Sequence, residues 1–80
     1  MIIDPSLEPR LIHVARTALC ASRRDADVSQ QELAARLGWT RNMVANMEGG
    51  RRQIRFVDFL LISKALAVNP VTLLDRVIRW

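Results

Sequence analysis

Residues 29–50 read SQQELAARLGWTRNMVANMEGG, and this stretch carries the strongest structural signal in the chain. Two short helical patterns are joined by a turn containing Gly38, a residue that readily adopts the left-handed backbone conformation. Ala34 is small enough to let two helices approach closely, and Val44 and Met47 fall where the second helix would face the first. The stretch therefore predicts a helix-turn-helix.

Capping signals delimit the two helices of this motif. Ser29 followed by Glu32 and an apolar run is a capping box, so the first helix is predicted at about 30–37. Thr40 is a second N-cap, and the second helix is predicted to end near 47 or 48 because the following Gly49-Gly50 pair cannot sustain it.

Three further helices are predicted around the motif. Ser6 can cap a first helix at about 7–24, and apolar residues at helical spacing predict another at about 56–67. Asn69 caps a last helix that has Pro70 at its first position, where proline is favoured. Because the chain shows no strand pattern and no internal repeat, we expect an all-α fold of five short helices.

Length and charge favour a small domain that binds a polyanion. The net charge is +4, and residues 1–35 carry four basic against five acidic residues, whereas residues 36–80 carry eight basic against three acidic. The excess of positive charge thus lies with the second helix of the motif and the loop after it. We predict one domain over residues 1–80, with residues 1–6 as an N-terminal arm and residues 70–80 as a C-terminal helix.

Several classes of protein are not expected. Cys20 is the only cysteine, so neither a disulfide within the chain nor a cysteine-based zinc site can form. The first residues lack a signal-peptide pattern, and no apolar run approaches the roughly 20 residues of a membrane span, so we expect a cytoplasmic protein. No nucleophile–base pair, paired carboxylates, phosphate-binding glycine loop or metal cluster is recognisable, so we expect no enzyme, cofactor or metal.

The second helix of the motif presents a polar face suited to DNA. Arginine can pair with guanine through two hydrogen bonds, asparagine with adenine, and an apolar side chain can touch a thymine methyl. The residues predicted to contact bases in this way are Arg41, Asn42 and Asn46, with Thr40 and Met43 beside them. The arginines of the loop that follows, Arg51, Arg52 and Arg55, are predicted to contact phosphates.

Helix order, capping and spacing resemble the Cro and phage-repressor-like helix-turn-helix proteins, the XRE family, over about residues 10–75. The resemblance implies a compact five-helix fold like that of lambda repressor and binding to double-stranded DNA. The matching residues of the motif are Ser29, Gln30, Glu32, Leu33, Ala34, Leu37 and Gly38, then Thr40, Arg41, Val44, Met47, Glu48 and Gly50.

The same resemblance assigns roles beyond the base contacts. It implies that Gln30 contacts phosphate and braces the second helix of the motif, and that Arg23 and Glu48 form an internal salt bridge. The positions that it implies as clamps on the DNA backbone are Ser29, Gly49, Gly50, Arg51 and Arg52. Trp39 stands where the family has a small aliphatic residue, and we expect it to cover the core.

The C-terminal helix has two apolar stripes, more than one small core should absorb. We predict that the stripe formed by Leu73, Val77 and Trp80 is exposed and mediates a symmetric homodimer. Such a dimer would place two recognition helices about 34 Å apart on a near-palindromic operator. The alternative is that this helix binds a different protein.

The best-supported function is that of a sequence-specific transcriptional regulator of bacterial or phage type. Two alternatives remain open. One is an antitoxin-type interaction module that binds a toxin partner and autoregulates its operon. The other is a non-specific nucleic-acid binder, which would show the same salt dependence with little discrimination among sequences.

Overall fold

The computed structural model describes residues 2–79 and contains five α-helices in this range. No β-strand occurs among these residues, which confirms the predicted all-α class. The helices are α1 (Leu7–Asp25), α2 (Gln30–Leu37), α3 (Arg41–Glu48), α4 (Phe56–Ala65) and α5 (Pro70–Ile78).

The predicted caps of α2 and α3 are formed. Ser29 Oγ accepts a hydrogen bond from the Glu32 amide at 3.0 Å and donates to the Glu32 carboxylate at 3.2 Å. Gly38 ends α2 with a φ of 72°, and Thr40 Oγ1 accepts a hydrogen bond from the Met43 amide at 3.2 Å. These local bonds set the turn between the two helices and hence the direction in which α3 leaves it.

A single apolar cluster holds the five helices together. Helix α2 packs on α3 and α4, and α5 packs on α1 and α4. Burying these side chains is the main stabilising contribution, at about 1.5–3 kcal/mol for each fully buried large aliphatic side chain. The largest apolar residues with almost no exposure are Leu19, Leu33, Val44, Met47, Ile62 and Leu73.

One predicted helix cap and one predicted helix boundary differ from the structure. Ser6 occupies the N-cap position of α1, but its side chain makes no capping hydrogen bond, because its amide and hydroxyl both donate to the carboxylate of Asp4, at 2.9 and 3.0 Å. Helix α4 ends at Ala65 rather than 67, because Ala67 turns into the left-handed region with a φ of 55°. The Val68 amide then donates to the Ser63 carbonyl at 2.9 Å and closes the helix end.

The predicted exposed stripe of α5 is wrong. Leu73 is 0% and Val77 8% exposed, and both belong to the core, whereas Trp80 lies outside the described residues. Packing of α5 against α1 and α4 turns this stripe inward. The opposite stripe is the exposed one, and its members are Val71, Leu74 and Ile78.

Candidate nucleic-acid interface

Helix α3 is anchored on one face and free on the other. Val44 and Met47 are buried beneath it, while Arg41 and Asn42, in its first turn, are exposed. Asn46 lies one turn after Asn42 on the same face and is partly exposed. The structure thus brings the predicted base-contacting residues onto one surface. Thr40 is exposed at the start of this surface, and Met43 is half-buried at its edge.

The loop after α3 folds back onto its last turn. The carbonyl of Asn46 accepts hydrogen bonds from the amides of Arg51 and Arg52, at 2.8 and 3.1 Å. The side chain of Arg51 contacts the same residue as its amide does, because Arg51 Nε donates a hydrogen bond to Oδ1 of Asn46 at 3.2 Å. An arginine predicted to bind phosphate therefore also contacts a residue predicted to read bases.

Arg52 stacks on the turn of the motif. Its guanidinium carbon lies 4.5 Å from the ring centre of Trp39, within the range of a cation–π interaction. Trp39 is half-buried and packs against the core cluster, as predicted from the sequence. Because Trp39 occupies the turn between α2 and α3, this stacking holds the arginine loop beside the motif.

The amides of Gly49 and Gly50, which the family resemblance implies as contacts for phosphate, are already hydrogen-bonded within the chain. The Gly49 amide donates to the Ala45 carbonyl at 2.8 Å, and the Gly50 amide donates to the Met47 carbonyl at 3.3 Å. Both N–H groups are therefore used to terminate α3. Gly50 has a φ of 83°, so its role here is to reverse the chain.

The start of α2 braces the end of α3. Gln30 Nε2 donates to Oε1 of Glu48 at 2.9 Å, which is the bracing contact that the family resemblance implied. Ser29, next to it, is exposed, and its hydroxyl is bonded to Glu32. Contacts of Ser29 and Gln30 with phosphate stay predictions.

A buried ion pair fixes the same end of α3 to α1. Arg23 Nε lies 2.7 Å from Oε2 of Glu48, and both side chains are less than a tenth exposed. Burial raises the pKa of Glu48, but hydrogen bonds from Arg23 and Gln30 outweigh that cost, so the pKa lies below its ordinary value. The same bond raises the pKa of Arg23. Both groups are therefore charged at neutral pH.

Comparison with known proteins identifies the family. A family model described as a helix-turn-helix domain matches residues 17–77, which is most of the chain. The chain belongs to the helix-turn-helix domain family. No curated protein sequence matches it significantly.

Solved structures place this helix-turn-helix protein among XRE-like folds. An XRE-family-like protein from Pseudomonas syringae pv. tomato matches with a TM-score of 0.86 at 24% identity, covering 92% of this chain and 90% of that one. The clp gene regulator ClgR from C. glutamicum matches with a TM-score of 0.77 at 22% identity, covering 85% and 88%. A mutant of the restriction-modification controller protein C.Esp1396I matches with a TM-score of 0.81 at 22% identity, covering 86% and 92%. At these identities the likeness concerns the fold.

Arg55 is paired with a buried carboxylate. Its guanidinium holds the fully buried carboxylate of Asp58 at 2.8 Å, and its amide donates to the same carboxylate at 3.0 Å. The hydrogen bond from Arg55 lowers the pKa of Asp58 despite burial. Arg55 also borders an apolar groove formed by α1, α4 and α5, and its contact with phosphate stays a prediction.

One cation beside the helix-turn-helix was missed in the sequence analysis. The guanidinium of Arg16 lies close to Gly50, and a Cβ built on that glycine would be 3.1 Å from the guanidinium carbon. Arg16 precedes Arg23 by seven residues, which places both on one face of α1. The seven-residue spacing between Arg16 and Arg23, a member of the expected ion pair, could have indicated from the sequence that Arg16 lies on this side of α1. The structure thus groups Arg16 with the loop that contains Arg51 and Arg52.

Residues 2–79 of the helix-turn-helix protein offer neither a membrane-spanning helix nor a group of metal ligands. None of the described helices combines the length and apolar character needed to cross a membrane. Within the same range, no three His, Cys, Asp or Glu residues are grouped so that they could hold a metal ion.

Proposed function

We propose that this protein is a DNA-binding transcription regulator without enzymatic activity, and that α3 enters the major groove. One observation carries the proposal. Buried side chains on one face of α3 and the ion pair at its last residue fix the helix to the core. Arg41, Asn42 and Asn46 lie on the opposite face. A rigid helix with an exposed polar face is what reading base edges requires.

Cations beside α3 suit the DNA backbone. Arg51 and Arg52 lie in the loop that folds back onto α3, and Arg16 approaches the same loop from α1. Arginines supply sequence-independent affinity by displacing counterions from phosphates, and this affinity falls as the salt concentration rises. Ser29 and Gln30, at the N-terminus of α2, are proposed as further phosphate contacts.

We further propose that the protein binds its operator as a homodimer through the exposed stripe of α5. Val71, Leu74 and Ile78 border the apolar groove of about 530 Å³ that α1 and α4 complete. A ridge beside a groove on the same surface can pack against its own copy across a two-fold axis. The two α3 helices would then reach successive major grooves about 34 Å apart, on a near-palindromic site.

Selection from a random duplex library tests the proposed reading of DNA. The wild type should enrich a near-palindromic motif, and Arg41→Ala should relax one position in each half-site, at a cost of about 1–3 kcal/mol for the preferred base. Arg79→Ala is the matched control, because it removes the same charge from the exposed end of α5. Its motif should equal that of the wild type.

Other outcomes of the selection would support the alternatives. Salt-sensitive binding without an enriched motif would indicate a non-specific nucleic-acid binder. Absence of any binding to DNA would favour an interaction module of antitoxin type, for which the apolar groove is the observation in favour.

The proposed dimer has its own test. Leu74→Lys should place a charge in the groove and convert the dimer to a monomer in sedimentation at micromolar concentration. Thr72→Lys adds the same charge to an exposed position of α5 outside this groove, and it should leave the mass unchanged. A monomeric wild type would contradict the dimer.

A further inference from the structure

The hydrogen bond between Arg51 and Asn46 fixes which end of the Asn46 amide is free. Arg51 Nε lies 3.2 Å from Oδ1 of Asn46, and arginine can only donate hydrogen bonds. The group that faces Arg51 must therefore be the amide oxygen. The backbone bonds from the Arg51 and Arg52 amides to the Asn46 carbonyl hold the two residues side by side.

This orientation matters because an unconstrained asparagine is ambivalent towards bases. Its amide can donate through Nδ2 or accept through Oδ1, and a half-turn of the amide exchanges the two. With Oδ1 bonded to Arg51, Nδ2 points the other way. Asn46 lies on the exposed face of α3, one turn beyond Asn42, so its amide is part of the surface proposed to read DNA.

We propose that Arg51 is a positioning residue, which makes Asn46 a donor and thereby sets the base preference where Asn46 contacts DNA. A donor favours edges that present an acceptor, namely the purine N7, guanine O6 and thymine O4. It disfavours cytosine, whose major-groove edge presents the N4 amino group. The inference rests on the proposed function, in which α3 reads bases, and adds a specificity role to a residue otherwise expected to contact phosphate alone.

Two substitutions separate the hydrogen bond of Arg51 from its charge. Arg51→Gln places an N–H donor at the same number of bonds from the backbone as the arginine Nε. Arg51→Met places a methyl group there. Both variants lose one positive charge, so any loss of phosphate attraction is equal, and only the donor to Asn46 differs between them.

The experiment measures base preference and salt dependence together. The position read by Asn46 is first located as the one that Asn46→Ala relaxes in a library selection. Affinities of the wild type, Arg51→Gln and Arg51→Met are then measured on four duplexes that differ only there, at several salt concentrations. Arg51→Gln should keep the wild-type order of bases. Arg51→Met should lose about threefold to tenfold of the discrimination against cytosine, the value of one hydrogen bond.

Each of the other possible outcomes contradicts either the positioning role of Arg51 or the proposed function. If both variants keep the wild-type preference and lose affinity by the same factor on all four duplexes, Arg51 acts only as a cation and the positioning role is wrong. If both lose the preference equally, the charge and not the hydrogen bond is responsible, which also rejects the inference. If the wild type enriches no motif, the proposed function itself is overturned. The wild-type selection is therefore completed before any variant of Arg51 is compared.

Discussion

Arg23 and Glu48 are joined by two parallel hydrogen bonds, Nε to Oε2 at 2.7 Å and Nη2 to Oε1 at 2.9 Å. Arg23 also donates from Nη1 to the Val28 carbonyl at 2.8 Å, so one guanidinium connects α1, the segment before α2, and the end of α3. A bidentate pair of this kind restricts the relative orientation of its two side chains in addition to stabilising their contact. The pair thus fixes the orientation of the helix proposed to enter DNA.

Breaking this pair from one side should be costly. Glu48→Ala leaves the Arg23 charge buried without its partner, and we expect the free energy of unfolding to fall by about 3–5 kcal/mol. Urea unfolding followed by circular dichroism measures this. Asp75→Ala, which breaks the exposed pair with Arg79, is the control and should cost less than about 1 kcal/mol. An equal decrease in the free energy of unfolding in the two variants would show that the buried pair contributes no more to stability than the exposed pair.

Stability should decline in acid because two buried carboxylates, those of Glu48 and Asp58, are ionised more readily in the folded protein than in the unfolded chain. Hydrogen bonds from Arg23 and Gln30 keep the pKa of Glu48 lowered although burial raises it, and the bond from Arg55 lowers the pKa of Asp58. A lowered folded-state pKa adds stability above the unfolded-state pKa, and this stability is lost as the pH falls through the folded-state value.

The expected window for that loss lies below the ordinary pKa values, 4.5 for Glu48 and 3.8 for Asp58. Urea unfolding at a series of pH values should show the decrease beginning there. Glu48→Gln should make the decrease shallower, since it removes one of the two groups. An equally steep decrease in the variant would mean that Glu48 does not contribute to it.

The two apolar stripes of α5 should respond differently to truncation. Leu73→Ala removes a fully buried side chain, and we expect it to destabilise the protein by about 2–5 kcal/mol. Leu74→Ala shortens a half-exposed neighbour and should cost less than about 1 kcal/mol in the monomer, while weakening the proposed dimer. Thermal unfolding at low protein concentration and sedimentation at high concentration separate these effects. The reverse ranking would contradict the observed packing of α5.

At Gly38 the energetic cost of a left-handed backbone conformation can be measured without a side-chain clash. A Cβ at this position would meet nothing within 4 Å, yet the φ of 72° is unfavourable for alanine. Gly38→Ala should therefore cost about 1–2 kcal/mol, all of it from the left-handed conformation. Gly38→Asn should cost less, because asparagine tolerates this region better. Urea midpoints of the two variants should rank in that order, and equal midpoints would argue against backbone strain.

The elements that sequence reasoning placed correctly depend on contacts between near neighbours in the chain. The Ser29 hydroxyl reaches an amide three residues later, the Thr40 hydroxyl does the same, and Gly38 needs only its own backbone freedom. Such preferences act before any helix meets another, so they can be read from residue type and spacing. The Arg23–Glu48 pair spans 25 positions and was foreseen only through the family resemblance.

The main errors concern properties that arise when helices meet. Both stripes of α5 are apolar, and which one is buried depends on the direction from which α1 and α4 approach, which no local pattern encodes. The amides of Gly49 and Gly50, by contrast, are taken up by local bonds to the carbonyls of Ala45 and Met47 at the end of α3. The approach of Arg16 to Gly50 depends on how α1 lies against that loop. Local hydrogen bonding and backbone sterics thus specify the five helices and the turn, whereas the relative orientation of the helices specifies the core, the apolar groove and the groups left exposed on α3.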